Sequence, residues 1–217
     1  MRDVSLRGTK LTKTYNRRNV FAQIDFEMSG TQSWAIVGRN GSGKSTLVKI
    51  IAGLLSATSG DVVLTVDGKS IRRDDQYHYI GFVSPYLQLY EEFTAHENLA
   101  LFSRLRGGSL DADRVDALLR RITLHQRKDD LVRTFSSGMK QRLKYAFALL
   151  HEPPVLILDE PTTNLDAEGI ELVYDIIAEQ RTRGIAIIAS NDKEDTERCD
   201  ALIDLNAART PDSRRPA

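Results

Sequence analysis

Gly38-Arg39-Asn40-Gly41-Ser42-Gly43-Lys44-Ser45-Thr46 fits the pattern G-x-x-x-x-G-K-[ST] at each fixed position, the pattern of a loop that holds nucleotide phosphates. Glycines in such a loop let the backbone turn tightly enough for successive N–H groups to point inward. Those groups and the positive end of a following helix can hold phosphate oxygens. Lys44 adds a point charge for the outer phosphates, and Ser45 offers a hydroxyl to Mg²⁺, which prefers hard oxygen ligands. A second cluster is Asp159-Glu160, directly after the apolar run Val155-Leu156-Ile157-Leu158. Two carboxylates at the carboxyl end of a buried strand stand where open α/β sheets place ligands. One suits the metal side of a Mg-nucleotide, and its neighbour can orient a water. A surface acidic pair is the competing explanation.

These groups need elements to hold them. The apolar run Trp34-Ala35-Ile36-Val37 feeds the glycine loop, and Leu47, Ile50, Ile51 and Leu54 follow at helical spacing, so the loop lies between a buried strand and a helix start. Phe135-Ser136-Ser137-Gly138-Met139 precedes a helix carrying Leu143, Tyr145, Phe147 and Leu150 and stopped near Pro153-Pro154. A small-residue turn there is either an ordinary N-cap or a second anion-binding turn. Tyr15 is a strand-end aromatic or a surface for stacking a purine.

The 217 residues suffice for one well-buried α/β domain with a small insertion. Lysine plus arginine number 30 against 30 acidic residues, so no global charge argues for nucleic acid or an anionic membrane. Cys199 is the only cysteine, which excludes an internal disulfide and suits a reducing compartment. His78, His96, His125 and His151 show no metal-ligand spacing. No stretch approaches the roughly 20 apolar residues of a membrane span, and the charged start Met-Arg-Asp-Val-Ser-Leu-Arg does not resemble a signal peptide.

Read in order, Val4, Leu6, Ile24, Phe26 and Met28 suggest short half-buried strands around the basic turn Asn16-Arg17-Arg18-Asn19. A strand pair follows about Asp67-Gly68, then Arg72-Arg73-Asp74-Asp75 as a solvated loop and Tyr79 to Val83 as a strand. From Glu91 to about Arg133 the pattern turns helical, with Leu99, Phe102 and Leu105 on one face, Val115, Leu118, Leu119 and Ile122 on a second, and Asp111 as an N-cap. Ile170, Val173, Ile176 and Ile177 mark a further helix closed by Gly184, Ile185 to Ala189 a buried strand, and Ala201 to Leu205 an edge strand. The tail from Asn206 to Ala217 has little apolar content, which predicts a flexible segment.

The loop, the Ser136–Met139 turn and Val155–Thr162, in that order with helices between the first two, resemble the nucleotide-binding subunit of an ABC transporter. The resemblance covers about Val4 to Leu205. It implies an α/β fold: a P-loop NTPase (RecA-like) core with a parallel central sheet, an antiparallel β flank and a helical subdomain at about 86–152 within a domain of 1–205, and a tail at 206–217. It implies ATP and Mg²⁺ as ligands, with Tyr15 on adenine, Gly38, Asn40, Gly41, Ser42, Gly43, Lys44, Ser45 and Thr46 on the phosphates, and Asp159 with Ser45 on the metal. Glu160 is then the general base or water-orienting group, assisted by Lys44. Ser136 and Gly138 contact the γ-phosphate of a nucleotide held by an opposite subunit, so a homodimer or a paired ATPase is implied, and Asn164-Leu165-Asp166 is the D-loop. Separate transmembrane permease subunits would hold the protein on the cytoplasmic face, with no direct nucleic acid partner.

Three positions depart from the family pattern. Pro85 stands where a metal-reaching glutamine is usual, and Gln88, three residues on, could reach the metal only if the loop path shifts. Asn191 matches the switch histidine; its amide can donate to a phosphate oxygen but carries no imidazole charge. Met139 replaces a signature glutamine. The expectation is a slow, transport-coupled ATPase with an export lean. The alternatives are an ATP-gated regulatory dimer with little turnover and a soluble ATPase of the same family.

Overall fold

A computed structural model describes residues 2–108 and 111–206. In chain order the elements are β1 Val4–Tyr15, β2 Arg18–Ser29, β3 Ser33–Val37, α1 Lys44–Ile51, β4 Ser59–Val66, β5 Lys69–Ile71, β6 Ile80–Val83, α2 Ala95–Leu105, α3 Ala112–Arg121, α4 Ser137–Leu149, β7 Val155–Asp159, α5 Ala167–Gln180, β8 Ile185–Ala189, α6 Lys193–Glu197 and β9 Ala201–Asp204. They build an antiparallel sheet ordered β2-β1-β4-β5 and a parallel sheet ordered β6-β7-β8-β3-β9. Of the expected tail, residues 207–217 lie outside the described residues.

The parallel sheet is covered on both faces. All five residues of β7 are buried. Leu156 and Leu158 pack into a core with α2, α3, α4 and α5, whereas Val155 and Ile157 pack into a core with α1 and the antiparallel sheet. An uninterrupted apolar run therefore fills two cores by strand alternation, at about 1.5–3 kcal/mol for each large side chain removed from water. The helical layer is locally well specified. Thr94 and Glu97 form a reciprocal capping box on α2, and Asp111 caps α3 by accepting from the Arg114 N–H at 3.0 Å.

Several expectations are corrected. β1 and β2 are not short: each runs 12 residues, and the turn narrows to Asn16-Arg17, with φ of 46° and 65°, the geometry of a two-residue hairpin turn. Register shifts between Gly8 and Leu11, Leu11 and Lys13, and Lys13 and Thr14 break the in–out alternation, which hides one long strand from a period-two reading. Arg72–Asp75 leads into a 3-10 turn spanning Arg73–His78, docked by Arg73 through the Gly53 carbonyl at 3.0 Å and the Ser56 hydroxyl at 2.7 Å. Leu105, expected on the buried face of α2, is 69% exposed. Gly184 does not end α5; the helix stops at Gln180, whose carbonyl accepts the Gly184 N–H at 2.9 Å.

His151 follows α4 and donates through Nε2 to the Ile80 carbonyl at 3.2 Å, pinning the end of that helix to β6. Burial, with the Arg106 charge beside it, holds its pKa down from 6.5 to about 3. The unfolded chain therefore takes up a proton below about 6.5 that the folded chain refuses. The stabilisation from the neutral ring is complete above that pH and is lost as pH falls toward about 3. Urea midpoints of the wild type are expected to drop between about pH 7 and pH 5 more steeply than those of His151→Gln; parallel profiles would show that the ring does not titrate against folding.

Candidate active site

The strand order brings the chemistry together. β8 lies between β7 and β3, so the segments leaving the carboxyl ends of β3, β8 and β7 emerge side by side. They carry the glycine loop, Asn191 and the Asp159-Glu160 pair.

The glycine loop is built by conformations that only glycine adopts easily. Gly38 has φ of 153°, and a Cβ there would lie 2.5 Å from the Ser42 hydroxyl; Gly43, at φ of 107°, would drive a Cβ to 2.4 Å from Val20. Gly43 is also the N-cap of α1, which has no side-chain cap and no acidic residue in its first turn. The first N–H groups and positive end of the helix therefore face the loop without a protein anion to satisfy them. Thr46 is in that first turn. The Ser42 hydroxyl is buried with no hydrogen-bond partner among the described residues.

Lys44 is 6% exposed. Its ammonium donates to the Gly38 carbonyl at 3.1 Å and to Asn191 Oδ1 at 2.7 Å, and stands 3.8 Å from Glu160 Oε1. Asn191 in turn donates through Nδ2 to the Asn40 side chain. The amide at the switch position thus bridges two residues of the loop. Ser45 Oγ donates to Asp159 Oδ1 at 3.0 Å. The other Asp159 oxygen is buried without a partner among the described residues, and burial raises that carboxyl above its ordinary range, opposed by the Ser45 hydrogen bond and by Lys49 and Lys44.

An orphaned carboxylate oxygen beside a serine hydroxyl fits a divalent cation that draws its remaining ligands from water and phosphate. It does not fit an all-protein metal cage, and among the described residues no group of three or more His, Cys, Asp or Glu could form one. Glu160 ends the row with φ of 50°; burial raises its pKa, Lys44 opposes that shift and the Asp159 charge adds to it.

Tyr15 is 48% exposed, with the Lys13 ammonium 4.7 Å from its ring centre. It lines an open cavity of about 530 Å³ together with Asn16, Arg18, Asn19, Val20 and Gly41. An aromatic face and the phosphate loop therefore share one opening. Ser136 and Gly138 are not joined to this group. Ser136 caps α4, accepting from the Met139 N–H at 3.2 Å, and Gly138 faces the Asn164 carbonyl; the Ser136 turn is exposed on the helical layer. Gln88 is exposed and is not drawn into the group either, while the carbonyl of Pro85 accepts from Lys144 at 3.0 Å.

Sequence reasoning passed over Asp195. It is 1% exposed and accepts from Ser190 at 2.7 Å, Thr162 at 3.1 Å and Tyr174 at 3.0 Å. No motif flags it, because its three partners lie on separate segments.

A family model described as ABC transporter matches residues 21–163. The chain is 32% identical over 208 residues to the uncharacterized ABC transporter ATP-binding protein YybJ of Bacillus subtilis, covering 94% of each. It is 34% identical over 186 residues to the lantibiotic transport ATP-binding protein SrtF of Streptococcus pyogenes, covering 86% of this chain and 79% of that one. The solved structure of the ATP binding subunit of an ABC transporter superposes with a TM-score of 0.80 at 29% identity, covering 92% of this chain and 85% of that chain. With its glycine loop, its paired carboxylates and this likeness over most of its length, the chain belongs to the ABC transporter family.

Proposed function

We propose that this chain binds and hydrolyses ATP to drive transport through separate membrane subunits. The observation that carries this reading is the single row Ser45-Asp159-Glu160-Lys44, in which a hydroxyl, two carboxylates and an ammonium meet at the mouth of an uncapped helix. In the reaction we assign, the loop amides and Lys44 hold the triphosphate and stabilise charge gathering on its γ-oxygens. Glu160 takes a proton from water as the water oxygen bonds to the γ-phosphorus; the bond from phosphorus to the bridging oxygen breaks and ADP leaves. Ser45 and Asp159 would hold Mg²⁺, which would offset phosphate charge. Tyr15 stacks on the adenine.

The same reading gives Ser136 and Gly138 to a nucleotide bound by a second copy, and two features support it. The turn is exposed and set apart from the chain's own loop, and the Ser136 hydroxyl and following N–H groups are placed at a helix start. The helical segment of about 86–152 would carry closure of the pair to the membrane partner. For that partner we assign the apolar cavity of about 210 Å³ beside Leu54, Tyr77, Phe82, Leu87 and Phe102, between α1 and the helical layer; Leu54 is 64% and Tyr77 46% exposed there. No helix among the described residues is long and apolar enough to cross a membrane. The name of the lantibiotic transport relative supports a transport role for this chain as well.

A second reading, a nucleotide-gated dimer with little turnover, is favoured by Asn191, whose amide is engaged by Asn40 and Lys44, and by Pro85, which has no side-chain amide. Single-turnover hydrolysis separates the two readings.

With Mg-ATP, purified protein is expected to release phosphate more slowly than the enzyme median of about 10 per second. Glu160→Gln should lower that rate by about 100-fold or more while still binding ATP; equal rates for the two proteins would count against hydrolysis. Lys44→Ala should raise the ATP dissociation constant by about tenfold or more, and an unchanged constant would remove the phosphate-loop assignment. Chelation by EDTA should stop phosphate release and added Mg²⁺ restore it; release that persists in EDTA would argue that Asp159 and Ser45 serve no metal.

A further inference from the structure

Three consecutive residues beyond β7 are each tied to a different element. The Glu160 N–H donates to the Ala189 carbonyl at 2.8 Å. The Pro161 carbonyl accepts from the Tyr145 hydroxyl at 2.7 Å, and Tyr145 is fully buried. The Thr162 hydroxyl donates to Asp195 Oδ2 at 3.1 Å. Glu160 itself sits at φ of 50°, a left-handed conformation that a residue with a Cβ holds only when its surroundings impose it.

Asp195 is the one charged member of this set of anchors. Its Oδ2 also accepts from the Ser190 hydroxyl at 2.7 Å, and its Oδ1 accepts from the Tyr174 hydroxyl of α5 at 3.0 Å. Ser190 precedes Asn191 directly, and its oxygen accepts the Asp192 N–H at 3.0 Å. One carboxylate, 1% exposed, is therefore hydrogen-bonded to the loop that carries Glu160 and to the loop that carries Asn191. Three hydroxyl donors satisfy its charge without a cation, and hydrogen bonds to an ionised acceptor are the stronger kind. Lys44 reaches the same two loops at Asn191 and Glu160 themselves, whereas Asp195 holds them at the neighbouring residues Ser190 and Thr162.

We propose that Asp195 is a positioning residue for hydrolysis: it clamps the Thr162 and Ser190 segments together and so sets the placement of Glu160 and Asn191 against Lys44. This rests on the role assigned to Glu160 above. The clamp is strongest with a carboxylate. An asparagine could keep the Thr162 and Ser190 hydroxyls only with its one carbonyl oxygen in the Oδ2 place; it would then turn its N–H₂ group to the Tyr174 hydroxyl, displacing the bond that hydroxyl donates, and would lose the charge that strengthens all three. The nucleotide's main holding groups, the loop amides and Lys44, lie on other segments, so the effect falls on turnover more than on binding.

The test measures kcat, the ATP dissociation constant and Tm for the wild type, Glu160→Gln, Asp195→Asn, Asp195→Glu, Thr162→Val and the double variant Asp195→Asn/Thr162→Val. The expected result is a fall in kcat of about 10- to 100-fold for Asp195→Asn and for Thr162→Val, with ATP affinity within about twofold of the wild type. The double variant should fall no further than the worse single, because both act on the same link, and Asp195→Glu should retain more turnover than Asp195→Asn. A folded Asp195→Asn protein that turns over ATP at the wild-type rate would overturn the inference and leave the hydrolysis reading intact. So would losses that multiply in the double variant, or kcat and affinity falling together. Should Asp195→Asn fail to fold, Thr162→Val decides alone, on the same split between kcat and affinity. A wild-type rate equal to that of Glu160→Gln would overturn both the inference and the reading beneath it.

Discussion

A nearly buried ammonium organises the glycine-loop end of this molecule. Lys44 has its charge balanced by the Gly38 carbonyl, the Asn191 amide oxygen and, at longer range, Glu160. Removing a lysine from water is costly unless each of its protons finds an acceptor. The acceptors here come from three segments far apart in sequence, so satisfying one side chain fixes the relative placement of all three. The glycine loop cannot take its turn without Gly38 and Gly43, and the lysine cannot reach its acceptors unless the loop takes that turn. Packing and chemistry are thereby made to depend on the same few atoms.

Parallel topology supplies the rest. Because β8 runs between β3 and β7, the Ser45–Asp159 hydrogen bond passes across the end of an intervening strand, and the residues leaving that strand are held in the middle of the group. Asn191 bridges Asn40 and Lys44 for this reason. The strands themselves are buried on both faces, so their ends have little freedom to drift, and groups mounted there keep their spacing better than groups on long loops. Asp159, with one oxygen on Ser45 and the other without a partner among the described residues, is held in place by its strand rather than by a full set of hydrogen bonds.

Much of this was readable in the residues alone, and the exceptions have physical causes. Val155–Leu158 and Ile185–Ala189 are continuous apolar runs of strand length, bounded by polar or turn residues, as doubly covered strands require, and the glycine loop has fixed spacing. The long β1–β2 hairpin resembles short strands in the sequence because bulges near Lys10 and Gln23, both at positive φ, reset the alternation. Leu105 fits the helical period yet falls on the last turn of α2, past the end of the core that Leu99 enters. Asp195 is invisible to any local pattern: Thr162, Tyr174 and Ser190 meet it only after α5, β8 and α6 have packed. Long-range polar satisfaction is a property of the folded chain, whereas periodicity belongs to the segment.

The two halves of the proposed site differ in how firmly they are held, and that difference bears on how the molecule would work. The loop, Asp159 and Glu160 rest on buried strands with cross-linked termini, so they are preorganised before any partner arrives. The Ser136 turn has a different mount. It opens α4, whose body is buried through Leu143, Tyr145 and Ala146, yet Tyr145 donates to the Pro161 carbonyl, one residue beyond Glu160. The helix that presents the exposed turn is thus hydrogen-bonded to the loop that presents the water-facing carboxylate. A displacement of α4 by an opposing subunit would be felt at Pro161 through one short, buried contact, next to Glu160, whose φ of 50° its surroundings impose.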